Sequence, residues 1–193
     1  WKKAYVRLRA GEKLPDFVLV AAMEPMTRTV DYSDRRAAVL WGDAALAAVV
    51  STRVPGAAQI LDSQLASSPA GNEKVLIPRL GFFEQDGRTV QMFAIKKTTD
   101  MLREMRSRYE VPDRRFHFIG HQANLRMLEA VCKRCDIAPE RHHSNAEWFG
   151  NTAAASSGSV LSQNWEKWKQ DDYVAMVGVG AGLTWGSYLV RFG

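Results

Sequence analysis

Apolar and polar positions follow two different rhythms along this 193-residue chain. Residues 16–23, "DFVLVAAM", form a continuous apolar run after Pro15, the pattern of a strand buried on both faces in a parallel-type sheet. The stretch 35–52, "RRAAVLWGDAALAAVVST", divides into two short apolar pieces about Gly42 and Asp43, which predicts a bend between paired or bulged strand pieces. Pro55-Gly56 is the best boundary signal in the chain, and residues 64–89 are loop-rich with one short apolar piece. Over 91–109 the rhythm changes. Phe93, Ile95, Met101, Leu102 and Met105 line one side of an amphipathic helix. After a break at Pro112-Asp113 come a strand, "RFHFIG" at 115–120, and a helix, "QANLRMLEAVCKRC" at 122–135. Residues 151–170 run from loop into helix, and 173–182 and 184–192 are strands joined by a glycine turn. Strands and helices in this order imply an α/β fold with a mixed sheet, and no internal repeat or low-complexity tract interrupts it.

The opening "WKKAYVRLRAG" reads as the last turns of an amphipathic helix stopped by Gly11. It starts at Trp1 without a methionine, so the expectation is a piece of a longer chain. With 46% hydrophobic residues the chain can bury a sizeable core. It has no apolar run of about 18 residues, so no membrane span or signal peptide is expected. The formal net charge is +5. Its basic residues, among them Lys96, Lys97, Arg103, Arg106, Arg108, Arg126, Lys133 and Arg134, are spread over helices and not interleaved with aromatics. That argues against nucleic acid and leaves either a solvated surface or a docking face for an acidic protein.

Cys132 and Cys135 form a C-x-x-C with His142 and His143 close behind, which raises zinc. The pair lies on a predicted helix, and the usual second half of a zinc spacing is absent, so no metal is assigned. The plainer reading is two ordinary helix cysteines in a reduced cytosolic protein.

In α/β sheets ligands gather beyond the carboxyl ends of strands. His121 follows the strand at 115–120. Asn151 opens the small-residue loop "NTAAAS", and Gly178, Gly180 and Gly182 shape the turn between the last two strands. Taken singly, a histidine after a strand is usually structural and an asparagine after glycine is usually a turn or cap. Together, a neutral imidazole N–H and a carboxamide N–H aimed at one point can stabilise an oxyanion or enolate without a net charge. A glycine turn lets backbone N–H groups approach a thioester closely. Acyl or enolate chemistry is the expectation from the residues alone.

"HQANLRMLEA", "FGNTAAAS" and "GVGAGLTWGSYLVRF" resemble the three C-terminal signatures of the β-ketoacyl-acyl-carrier-protein synthase III family. "RTVDYSDRRAAVLWGDAALAAVV" is similar to the family's strand pair around its D-R and F-G-D-G-A motifs, so the likeness spans about residues 5–193. It implies a thiolase-like α/β fold: a mixed five-stranded sheet with helices on both faces, layered α-β-α-β-α in the full enzyme. Residues 1–53 would end the N-terminal thiolase-like half, and 54–193 would form the C-terminal half. The activity implied is decarboxylative Claisen condensation of an acyl-coenzyme A starter with malonyl-acyl carrier protein, through a Cys–His–Asn triad. His121 and Asn151 would be the histidine and asparagine. Gly180, Ala181 and Gly182 would form the loop holding the acyl thioester oxygen. Arg35 would pack on the adenine of coenzyme A, while Arg126, Lys133 and Arg134 would dock the carrier protein. A cytoplasmic homodimer is implied, with no cofactor beyond the thioester carriers and no nucleic-acid or membrane partner.

Several positions depart from the family. Its nucleophilic cysteine is expected about ten residues before Trp1, and neither Cys132 nor Cys135 replaces it, because both fall on the carrier-docking helix. Val179 stands where the family has phenylalanine, which opens the site. Ala44 and Leu46 stand near two of the F-G-D-G-A glycines, and Trp148 occupies a position often smaller or polar. Two other readings remain at this point: a starter-unit acyltransferase or condensing enzyme of secondary metabolism, and a non-catalytic subunit of a heterodimeric condensing enzyme.

Overall fold

The computed structural model describes residues 13, 15–109 and 115–193. The helix expected over 1–11 and the break at 112–113 lie outside the described residues. In chain order these residues form β1 (Val18–Glu24), α1 (Arg35–Ala38), β2 (Ala44–Val50), β3 (Ala58–Ser67), β4 (Val75–Leu76) and β5 (Glu84–Gln85). There follow α2 (Gly87–Tyr109), β6 (Arg115–Gly120), α3 (Leu125–Arg134), α4 (Ala146–Phe149), α5 (Ser156–Gln163), β7 (Asp172–Gly180) and β8 (Thr184–Phe192).

The main sheet has the order β3–β8–β7–β6, with β6 parallel to β7 and the other two pairs antiparallel. Helices cover both of its faces, so β7 reads as an apolar run from Tyr173 to Val179, and β6 carries apolar residues on both faces, interrupted by the buried His117. On one side Phe116 and Phe118 of β6 pack with Met101, Leu102 and Met105 of α2 and with Leu128 and Val131 of α3. On the other, Ile119, Val174, Val190 and Phe192 pack with Val160 of α5 and with Trp168. Leu102, Phe118, Ile119 and Val160 are fully buried, and each such side chain contributes roughly 1.5–3 kcal/mol. This double layer fixes the strand that ends at His121.

Several sequence expectations need correction. The sheet has four strands among the described residues, not five, because β1 and β2 form a separate two-stranded antiparallel ribbon. β1 is therefore not a buried parallel strand: Val18, Leu19 and Val20 are exposed, and Glu24 is the buried residue at its end. The first apolar piece of 35–52 is helix α1, not strand, because the Asp34 carboxylate accepts the Arg36 N–H at 2.9 Å and starts a helical turn. β3 was missed altogether. It is an edge strand with few buried side chains and so shows no alternation. Helix starts shift for the same reason as α1. Asp86 accepts the Thr89 N–H ahead of α2, and Asn124 accepts the Arg126 and Met127 N–H groups ahead of α3. Among the described residues no helix is long and apolar enough to cross a membrane.

Candidate active site

His121 sits one residue beyond β6, where its N–H donates to the Val177 carbonyl of β7 at 2.8 Å. Its Nδ1 lies 2.9 Å from Ser156 Oγ at the start of α5. The same Oγ accepts the Gln122 N–H at 3.3 Å. Ser156 is buried, so its hydroxyl hydrogen needs an acceptor, and Nδ1 is the one these contacts supply. Nδ1 is then unprotonated and Nε2 carries the hydrogen. Burial pushes the His121 pKa down to about 4, so the ring is neutral at pH 7. Nε2 makes no hydrogen bond among the described residues and is left as a free neutral donor.

Asn151 is reached by a different route. The chain enters through Gly150, whose φ of +64° favours glycine and where a Cβ would sit 2.8 Å from the Leu40 carbonyl oxygen. Asn151 then pairs with Trp41 as a parallel bridge. Its N–H donates to Leu40 at 2.7 Å, and its carbonyl accepts from Gly42 at 3.2 Å. A Cβ on Gly42 would fall 2.0 Å from the Phe149 carbonyl oxygen, so this crossing point requires glycine. The side-chain Oδ1 accepts the Ala153 N–H at 3.0 Å, which fixes the amide orientation and turns Nδ2 away as a donor with no partner among the described residues. Residues 151–156 thus carry Asn151 at one end and the hydroxyl bonded to His121 at the other.

The two groups share one device. In each, the acceptor atom is occupied by the protein and the donor atom is unspent. Two neutral N–H donors of this kind suit an oxygen that gains negative charge during reaction.

The structure places the other expected residues as follows. Gly180, Ala181 and Gly182 form the β7–β8 turn, three to five residues beyond the Val177 carbonyl that anchors His121, and Val179 pairs with Trp185. Arg35 is exposed on α1; its neighbour Arg36 holds the ion pair to Asp34. Arg126, Lys133 and Arg134 are exposed on α3, with Arg126 and Lys133 seven residues apart and hence on one face. The Arg134 carbonyl accepts from Arg103 at 2.6 Å. Leu46 fits against Gly158, where a Cβ would meet its Cδ2 at 2.0 Å, so the bulk added to the F-G-D-G-A region is matched by a glycine on α5. Trp148 is 79% exposed, just ahead of the Asn151 turn. Cys132 and Cys135 are free and buried, and burial pushes the Cys132 thiol up to about 11, away from the thiolate that zinc or nucleophilic chemistry needs. Among the described residues no three His, Cys, Asp or Glu side chains are grouped to hold a metal.

Residues 99–192 match the family model of 3-oxoacyl-[acyl-carrier-protein (ACP)] synthase III C terminal, and residues 8–69 match that of 3-oxoacyl-[acyl-carrier-protein (ACP)] synthase III. The chain belongs to the β-ketoacyl-acyl-carrier-protein synthase III family. A β-ketoacyl-[acyl-carrier-protein] synthase III of Oceanobacillus iheyensis is 34% identical over 182 residues, covering 91% of this chain and 57% of the relative. The crystal structure of 3-oxoacyl-[acyl-carrier-protein] synthase III from Aquifex aeolicus has a TM-score of 0.83 at 31% identity, over 92% of this chain and 58% of that one. A priming β-ketosynthase from a polyketide biosynthetic pathway has a TM-score of 0.77 at 27% identity, over 92% of this chain and 57% of that one. The chain thus spans a little over half the length of the relatives it matches. Its fold is the thiolase-like α/β fold of these synthases.

Sequence reasoning singled out His121 and Asn151 as candidates in this synthase III chain, and it missed the groups hydrogen-bonded around them. Ser156 lay at the end of the small-residue loop "NTAAAS", with no role of its own in the sequence pattern. Gln122, fully buried, donates to the Gly120 carbonyl at 2.7 Å and accepts from Ser144 and from the Asn145 and Ala146 N–H groups. Asn145 in turn donates to Ser159 and Gln163 of α5. A glutamine directly after the strand-end histidine is the one signal that pointed there, and polarity alone does not tell a buried cross-link from a surface residue.

Proposed function

We propose that the full-length protein is a condensing enzyme that joins an acyl-coenzyme A starter to malonyl-acyl carrier protein. The malonyl carboxylate leaves as carbon dioxide when its C–C bond breaks, and the electron pair forms an enolate of the thioester. That carbon attacks an acyl group held on an enzyme thiol, the thiol sulfur leaves and takes up a proton, and a 3-oxoacyl thioester remains. In this reading His121 Nε2–H and Asn151 Nδ2–H hold the malonyl thioester oxygen and stabilise the enolate. The observation that carries it is the pair of unspent neutral donors, each fixed by a bond to its acceptor atom.

The Gly180–Gly182 turn offers backbone N–H groups to the acyl thioester, Arg35 stacks on the coenzyme A adenine, and Arg126, Lys133 and Arg134 receive the acidic carrier protein. Residues 1–53 end the N-terminal thiolase-like half and 54–193 form the C-terminal half of a cytoplasmic homodimer that needs no further cofactor. The priming ketosynthase likeness favours one second reading, a starter-unit enzyme of secondary metabolism, in which Val179 widens the acyl site for a longer or branched group. The test is an assay of the full-length protein with acyl-coenzyme A and labelled malonyl-carrier protein. Stoichiometric release of carbon dioxide and 3-oxoacyl product is expected. Acyl transfer without carbon dioxide would overturn the condensing assignment.

A further inference from the structure

The residue that follows His121 reaches the chain on either side of Asn151. Gln122 is fully buried, and its backbone N–H donates to Ser156 Oγ at 3.3 Å, beyond Asn151 in the chain. Its side chain serves the segment ahead of Asn151. Oε1 accepts the Asn145 N–H at 2.9 Å, the Ala146 N–H at 3.2 Å and the Ser144 hydroxyl at 2.7 Å. Nε2 donates to the Gly120 carbonyl at 2.7 Å, which ties the same amide to the end of β6 beside His121.

The bonds to Oε1 take the place of a local helix cap. α4 is a single turn, Ala146–Phe149, and its N-cap residue Asn145 makes no side-chain cap bond. The Asn145 amide donates instead to Ser159 Oγ and Gln163 Oε1 of α5. N–H groups at a helix start need an acceptor from outside the helix, and Gln122 supplies it. The route from this cap to the site is short. Ala146 gives its N–H to Gln122 and takes the Gly150 N–H on its carbonyl at 3.0 Å. Gly150, with φ +64°, ends α4 and leads directly into Asn151. The backbone bonds of Asn151 to Leu40 and Gly42 orient it against the 40–42 segment, not against His121. Gln122, joined to His121 through the chain, ties the neighbours of Asn151 on both sides to that histidine.

We propose that Gln122 is a positioning residue for Asn151: its carboxamide, anchored on Gly120, caps α4 and so sets where Asn151 Nδ2 stands relative to His121 Nε2. The proposal rests on the condensing-enzyme reading, and in it Gln122 acts through α4, not on the substrate. Acyl loading from acyl-coenzyme A does not use the Asn151 donor in that reading, whereas malonyl decarboxylation does. Loss of the cap therefore separates the two half-reactions.

The experiment measures acyl loading and malonyl-carrier decarboxylation separately in full-length Gln122→Met, Gln122→Asn, Gln122→Glu and Asn151→Ala, and in the double variant with both positions changed. Gln122→Met keeps the length of the side chain and loses the amide. It is expected to lower kcat for decarboxylation about 20-fold, in the range seen when a group orienting a functional side chain is lost. Its KM and its acyl-loading rate should stay within about twofold, as a defect felt only in the transition state requires. Gln122→Asn withdraws the amide by one C–C bond and should show the same split at about fivefold, which serves if the methionine variant does not fold. Gln122→Glu keeps an oxygen for the α4 N–H groups and should recover most of the loss. The double variant gives the readout that a purely structural role would not move. With no Asn151 donor left to misplace, adding the Gln122 substitution to Asn151→Ala should cost less than about twofold. Full decarboxylation in the methionine and asparagine variants, equal loss of both half-reactions, losses that multiply in the double variant, or a glutamate variant as poor as methionine would each overturn the role given to Gln122. If Asn151→Ala itself keeps decarboxylation, the condensing-enzyme reading fails, whatever the Gln122 variants do.

Discussion

His121 Nδ1 and Ser156 Oγ stand 2.9 Å apart, and that contact decides which imidazole nitrogen carries the hydrogen. With Ser156 also accepting the Gln122 N–H, its own hydrogen goes to Nδ1 and the free nitrogen becomes a donor. Ser156→Ala should therefore leave the ring in place but let both tautomers populate. The expected result is about a tenfold fall in kcat for malonyl decarboxylation, in the range seen when a group orienting a functional histidine is lost. Nitrogen NMR of the ring should show a mixed tautomer in the variant and one tautomer in the parent. An unchanged tautomer with unchanged kcat contradicts the assignment.

The exposed face of α3 gives a second prediction. Arg126→Ala should raise KM for malonyl-carrier protein severalfold while leaving KM for acyl-coenzyme A unchanged, and the difference should shrink at high salt. Equal effects on the two substrates would remove this face from carrier docking.

A third concerns stability and pH. His117 Nδ1 and His143 Nε2 are 2.9 Å apart, and Arg141 lies 3.2 Å from His117 Nε2. Burial, with smaller contributions from nearby positive charge, pushes both rings down to about 4, against a weaker opposing pull from Asp172. Their folded pKa values lie below the unfolded value of 6.5, so the unfolded chain binds more protons between these limits. This contribution to stability is complete above pH 6.5 and is lost as pH falls towards 4. The melting temperature should drop most steeply across that window, and His143→Phe should flatten the slope. An identical slope in the variant would show that the pair does not govern it.

The entry to the site gives a fourth. Gly150→Ala places a Cβ 2.8 Å from the Leu40 carbonyl oxygen at φ +64°. A destabilisation of about 2 kcal/mol or more is expected from this strain, with a larger proportional loss of decarboxylation than of acyl loading. Wild-type stability would mean that the crossing of 40–42 with 149–151 is not tight in solution.

Much of this was legible along the chain, for identifiable reasons. β6 and β7 announced themselves because both faces of the main sheet are covered, so Tyr173 to Val177 read as a continuous apolar run and Phe116, Phe118 and Ile119 as one broken only by the buried His117. His121 stood out because the run stops there. β3 was invisible because an edge strand buries little, and β1 was misread because apolar residues such as Leu19 and Val20 lie exposed on a two-stranded ribbon. The supporting groups escaped for a different reason. Ser156 and Gln122 act through a contact between residues 34 apart in the chain. Nothing in the local pattern distinguishes a serine or a glutamine that meets such a partner from one that meets water.

The central claim is that His121 and Asn151 act as paired neutral donors to one developing oxyanion. The most direct measurement is the rate of carbon dioxide release from malonyl-carrier protein by full-length His121→Ala and Asn151→Ala, with acyl loading followed in parallel. Each substitution should slow release by about 100-fold or more while acyl loading continues. Release at the parent rate in either variant would contradict the account.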